Sequence, residues 1–71
     1  MNWLECEEIE AVPGKMGGAP VVRGTRVEPD TILTDYELGS PVAEIHGNFP
    51  TVRVDTIRKL IAFAHRHQPV S

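Results

Sequence analysis

Proline and glycine cut this chain into short pieces, and their spacing limits what it can build. Pro13-Gly14, Gly17-Gly18, Pro20 and Gly24 punctuate the first part, and Pro29, Gly39, Pro41, Gly47 and Pro50 divide the next. Glycine reaches positive φ freely and proline lacks a backbone donor, so regular elements turn or stop at such positions. The stretch from Thr51 to Gln68 contains neither. The first part therefore holds only short extended pieces, with Ile9, Ala11 and Val12 as one apolar group. Residues 20–27 read as two very short extended pieces about Gly24, a hairpin or a bulged strand. A two-stranded ribbon is not stable alone in water, so it must pack on helices or pair with another copy.

The second part reads as three helices. The first opens at Glu28-Pro29, with proline at the first helical position where its missing N–H costs nothing, and stops at Gly39. Pro29, Ile32, Leu33 and Tyr36 fall within about 100° of arc, away from Asp30, Asp35 and Glu37. The second opens with Ser40 as N-cap and Pro41 after it, turns Val42 and Ile45 to the core, and ends near Gly47-Asn48. Phe49-Pro50-Thr51 is the turn into a third helix, from residue 53 or 54 to about 67. There Ile57, Leu60, Ile61 and Ala64 share about 100° of arc, and Asp55, Arg58, Lys59 and Arg66 lie opposite. Asp55 in its first turn and His65-Arg66-His67 in its last suit the helix dipole. The pattern is a compact tri-helical bundle whose last two helices can form a helix-turn-helix.

With 71 residues the chain is one domain: an arm and short β element over 1–27, the bundle over 28–67 and a frayed end at 68–71. A domain this size buries only about 60% of its unfolded surface and often relies on disulfides, a metal or a second subunit. Cys6 is the only cysteine, which rules out an internal disulfide and leaves a reducing cytoplasm as the expected compartment. The acidic start is unlike a signal peptide, and no apolar run nears the ~20 residues of a membrane span. At 41% hydrophobic and 24% charged residues the chain is not a disordered one. The net charge of −3 is unevenly spread. Residues 1–12 carry Glu5, Glu7, Glu8 and Glu10, and residues 28–44 carry five acids, with no base in either segment. Residues 15–26 carry Lys15, Arg23 and Arg26 and no acid, and residues 53–67 carry Arg53, Arg58, Lys59 and Arg66 against Asp55. Such asymmetry either creates a local basic field on an acidic protein or is a set of solvated faces.

Met16-Gly17-Gly18-Ala19-Pro20-Val21-Val22-Arg23-Gly24-Thr25-Arg26-Val27 is the most specific stretch. It resembles the family catalogued as domain of unknown function 433: Gly-Gly-x-Pro, an apolar pair, a basic residue, then Gly-Thr-Arg and an aliphatic residue. Pro29-Asp30-Thr31-Ile32-Leu33, Gly39-Ser40-Pro41, Ile45 through Phe49-Pro50, and Ile57 to Ala64 follow in the family's order, so the resemblance covers about residues 9–66. It implies a mainly α, homeodomain-like tri-helical fold containing a helix-turn-helix, preceded by a short β-hairpin or strand, often in dimers. Many members look like antitoxins of VapBC-type pairs, which bind a nuclease-like, PIN-type toxin and repress their own operon. Two positions depart from the family: Arg53 stands where Thr or Ser often caps the third helix, and Ala43 where an acid often completes a capping box after Ser40.

The candidate chemistry is that of binding. Gly14-Lys15 lacks both the Ser or Thr after the lysine, which is Met16, and the upstream glycine of a nucleotide loop. Arg23 and Arg26 flank Gly24-Thr25 and read either as anchors for a partner carboxylate or phosphate or as clamps on local backbone, the clamp being favoured for Arg26. His65 and His67 are two apart on a helix and cannot share a metal. No motif assigns a nucleophile, metal, cofactor or small-molecule substrate, so the chain is not expected to be an enzyme. Trp3 and Leu4 either dock on a second subunit or toxin, with Val21, Val22, Arg23 and Arg26, or fold back on the chain's own core. In a helix-turn-helix reading Arg53, Thr56 and Lys59 face base edges and Arg58 and Arg66 face phosphates, provided that the acidic segments lie away from the DNA. Only about four residues follow the last helix, so a toxin is expected to be gripped by the folded surface or the arm. The leading expectation is a dimeric, cytoplasmic, antitoxin-like protein that binds a nuclease-like toxin and operator DNA. The rival is a protein-interaction or dimerisation module that does not touch DNA.

Overall fold

The computed structural model describes residues 2–67, and the frayed end expected at 68–71 lies outside them. Helix α1 spans Pro29–Glu37, α2 Val42–Asn48 and α3 Val54–His67. Ahead of them run a 3₁₀ turn at Trp3–Glu5, strand β1 at Ile9–Glu10, a tight turn at Met16–Gly18 and strand β2 at Val21–Val22. This is the mainly α architecture with a small antiparallel sheet before the helices that the punctuation predicts.

The strand pairing differs in detail from the hairpin expected about Gly24. Strand β2 pairs with β1, Ile9 opposite Val22 and Glu10 opposite Val21. The segment after Gly24 contributes two backbone bonds, from the Val22 N–H to the Val27 carbonyl at 2.8 Å and from the Thr25 N–H to the Val22 carbonyl at 2.9 Å. Thr25 uses up the neighbouring groups: its hydroxyl donates to the Val22 carbonyl (2.8 Å) and accepts from the Val27 N–H (3.0 Å). Gly24 turns the chain at φ +78°, a left-handed backbone that a Cβ disfavours.

Each helix end has its own solution. Pro29 occupies the first position of α1, as expected, with Glu28 as the cap residue. The C-terminus of α1 closes as a Schellman motif, the Gly39 N–H on the Tyr36 carbonyl (3.0 Å) and the Ser40 N–H on the Asp35 carbonyl (3.2 Å), with Gly39 at φ +99°. Ser40 does not cap α2 as expected; Pro41 is the cap residue, without a side-chain bond. The Asp35 carboxylate has captured the Ser40 hydroxyl instead (2.7 Å), and its other oxygen accepts from Asn48 (2.9 Å), which ties the end of α1 to the end of α2. These two donors hold the Asp35 carboxyl below its ordinary range, the Asn48 bond being the larger cause. Between α2 and α3 the His46 Nδ1–H donates to the Val52 carbonyl at 2.8 Å, since a carbonyl can only accept. The Arg53 carbonyl accepts the first helical bond of α3 from Ile57 (2.9 Å).

Ile32, Ile45, Ile57, Leu60 and Val52 meet at the centre of the three helices and are fully buried. Tyr36 does not join them: it is exposed at the last turn of α1. Phe63 is buried although it lies about 60° outside the apolar arc of α3. The reason is Trp3, whose ring stacks on Phe63 with centroids 5.5 Å apart and whose indole N–H donates to Asp30 Oδ1 at 2.9 Å. An aromatic side chain of about 150–250 Å² at ~25 cal/mol per Å² gains on the order of 4–6 kcal/mol on burial. That outweighs any exposed ion pair and settles where the arm lies.

Candidate functional site

Two surfaces carry the chain's cations, and a third carries its exposed apolar groups. The first is the outer side of α3. Because Trp3 is pinned to Phe63, residues 5–8 of the acidic arm run beside this helix, and Glu5, Glu7 and Glu8 line an open cleft with Lys59, Arg66 and His67. Lys59 Nζ sits 3.4 Å from Glu8 Oε1. His67 stacks on the other side of Phe63, with centroids 4.2 Å apart. The five residues expected to read DNA are not one cluster. Arg53 stands at the start of α3 and Arg66 about 20 Å along its axis, at about 1.5 Å per residue. Arg58 projects about 100° around the helix from Lys59, and Thr56 is half-buried. Arg53 and Arg58 are exposed and have no carboxylate partner among the described residues.

The second surface is a platform built by the turns on either side of the sheet, and Glu10 is its hub. Glu10 Oε2 accepts from the Gly24 N–H (3.1 Å) and from Lys15 Nζ (3.3 Å), while Oε1 faces Arg23 Nη1 at 3.7 Å. The Gly24 N–H first, and Lys15 next, hold the Glu10 carboxyl below its ordinary range. Arg23 is the clamp of this region: its Nε–H donates to the Glu7 carbonyl (3.1 Å) and its Nη2 to the Ile9 carbonyl (3.4 Å). The clamp favoured for Arg26 is made by Arg23, for which the sequence leaves both readings open. Arg23 secures backbone, and Arg26 is exposed with no hydrogen bond or ion pair among the described residues. The clamp falls to Arg23 because the pairing of β1 with β2 sets it beside Glu8, whose carbonyl accepts the Arg23 N–H at 2.8 Å.

The third surface is an apolar cleft between α1 and α3, of roughly 110 Å³, lined by Leu33, Tyr36, Ile61 and Ala64 with Glu37 and His65 also at its lining. Leu38, which follows α1, is 81% exposed. Sequence reasoning missed Leu38, Glu10 and Phe63 as organising residues. The signal for Phe63 was available, since an N-terminal tryptophan needs an apolar surface and Phe63 is the aromatic that the α3 arc leaves out.

Of the residues expected to touch a partner, Trp3, Val21 and Val22 lie in the chain's own core. Core packing thus removes all three from the surface this fold offers to another protein, and the fold-back alternative describes the arm. Leu4 remains half exposed at 54%. No described helix is long and apolar enough to cross a membrane.

Comparison with known proteins follows the fold. The crystal structure of a DUF433 member protein from Anabaena variabilis ATCC 29413 superposes with a TM-score of 0.68 at 22% identity, over 90% of this chain and 63% of that one. The chain thus spans less than two thirds of that protein's length, and at this identity the likeness is one of fold. No curated protein matches. Residues 9–64 match the family described as Protein of unknown function (DUF433). That match takes in both strands, all but the last turn of the three helices and the Gly24-Thr25-Arg26 turn, and the chain is a member of the DUF433 family.

Proposed function

We propose that this chain is a non-enzymatic protein-interaction module of the antitoxin-like kind, which meets its partner through its folded surface. The observation that carries this reading is the placement of the acidic arm beside α3. Lys59, a residue that a DNA-reading helix would turn to the bases, faces Glu8, and Arg66 shares a cleft with Glu5 and Glu7. Phosphate contacts supply most of the affinity for nucleic acid, and each carboxylate beside a cation cancels part of it. Meanwhile Leu38 and the cleft beside Tyr36 leave apolar surface open to a protein. The partner class, a nuclease-like toxin, and the cytoplasmic setting rest on the family resemblance and on the single cysteine.

The chain, purified with a small tag from its native host, is expected to bring down one protein in stoichiometric amount, and Leu38→Asp is expected to weaken that capture. Recovery of this chain alone, at the mass of a monomer by light scattering, contradicts the reading. The operator-DNA reading keeps one observation in its favour: Arg53 and Arg58 are exposed without a carboxylate partner among the described residues. Salt-dependent retention on duplex DNA, lost in Arg53→Ala with Arg58→Ala, would establish it.

A further inference from the structure

The platform has an imbalance that neither the fold nor the proposed partner uses. Residues 9–27 carry Lys15, Arg23 and Arg26 against Glu10 alone, a local surplus of two positive charges. The one carboxylate is fully engaged, by the Gly24 N–H, Lys15 and Arg23. Arg26 is left over among the described residues, and it lines one open cleft with Lys15, Pro13, Gly14 and Met16. We infer that this cleft is a binding site for a dianionic phosphate, either inorganic phosphate or the terminal phosphate of a small molecule.

Three properties select that ligand class. A phosphate monoester carries about −1.5 to −2 near neutral pH, which answers the two cations that line the cleft, Lys15 and Arg26, whereas a carboxylate or a phosphodiester carries a single charge. The guanidinium fork of Arg26 matches two phosphate oxygens at once, and the Lys15 ammonium, one of whose three N–H groups is on Glu10, adds a point charge. The wall of the cleft is already ordered: the Lys15 N–H is bonded to the Val12 carbonyl (3.0 Å) and the Ala19 N–H to the Met16 carbonyl (3.1 Å). A preformed loop loses less freedom on binding. This is not the nucleotide loop, because Met16 stands where that motif needs Ser or Thr.

The test is titration of the full chain with inorganic phosphate at constant ionic strength, followed by amide NMR, with sodium acetate as the comparison anion. Saturable shifts at Gly14, Met16 and Arg26 are expected with phosphate and not with acetate. Arg26→Gln is expected to weaken the affinity at least about tenfold, since a charged hydrogen bond is lost. Glu44→Gln, on α2, leaves it unchanged. Lys15→Gln gives a smaller loss, and unchanged far-UV circular dichroism shows that both variants stay folded. Shifts that do not saturate by tens of millimolar, that acetate reproduces, or that survive Arg26→Gln overturn the inference. Adenosine 5′-monophosphate in place of inorganic phosphate distinguishes the two sources: stronger binding points to a phosphorylated small molecule, equal binding to the ion itself.

Discussion

The outer side of α3 and the platform around Glu10 carry similar numbers of cations and differ in what faces them. On α3 the arm supplies Glu5, Glu7 and Glu8 beside Lys59 and Arg66. On the platform a single carboxylate serves Lys15 and Arg23, and Arg26 is unanswered among the described residues. The basic helix is thus the more neutral of the two surfaces. Charge counted along the chain misleads here, because a chain segment far away in sequence decides the field. In this chain Trp3 decides it, by anchoring the arm to Phe63.

The largest way to break this contrast is Trp3→Ala. It removes the stacking on Phe63 and the bond to Asp30, and we expect a loss of about 3–5 kcal/mol of unfolding free energy, measured by urea denaturation. The start of the arm is expected to leave α3, seen as collapse of the amide shifts of residues 3–6, while Arg23 still holds the carbonyls of Glu7 and Glu8. A loss under about 1 kcal/mol would mean that the arm is held elsewhere.

Gly24→Ala comes next, and it acts on the platform. No atom lies within 4 Å of an added Cβ, so the cost is that of the left-handed backbone alone, about 1–2 kcal/mol. Gly24→Asn is expected to cost less, because asparagine tolerates that conformation. Equal costs would point to a clash in place of backbone strain.

Acid sharpens the comparison through Glu10 and Asp35, whose carboxyls are both held below their ordinary range. A depressed carboxyl stabilises the fold above its unfolded value, about 4, and that contribution is lost as pH falls through the folded value. The melting temperature is expected to decline below about pH 4, and Glu10→Gln to flatten the part due to the platform. A profile identical in Glu10→Gln and the parent chain removes the hub role assigned to Glu10. The smallest effect is expected from Lys59→Gln, within about 0.5 kcal/mol, since an exposed ion pair contributes little.

Much of this fold is legible in the sequence where a local rule suffices. Pro29 and Gly39 mark the ends of α1 because proline and glycine act within one turn of themselves. The arc of Ile57, Leu60, Ile61 and Ala64 is buried as its spacing requires. What is not legible depends on residues distant in sequence. The partner of β2 is β1, because Thr25 takes the groups that a hairpin about Gly24 needs. Ser40 leaves the cap of α2 because Asp35 competes for its hydroxyl. Of the candidate site, the cations were visible and their neighbours were not: Lys59 and Glu8 are 51 residues apart. The exposure of Leu38 has no local signature either, as any aliphatic residue at a helix end reads equally well as core.

The claim that the arm neutralises α3 is tested most directly by fluorescence anisotropy on duplex DNA at low salt, comparing the parent chain with Glu5→Gln, Glu7→Gln and Glu8→Gln combined. We expect weak binding by the parent, and tighter binding with a steeper salt dependence once the three charges are removed. Tight, salt-dependent binding by the parent chain, unchanged in the triple variant and lost with Arg53→Ala, would contradict the account and return α3 to the role of a DNA-reading helix.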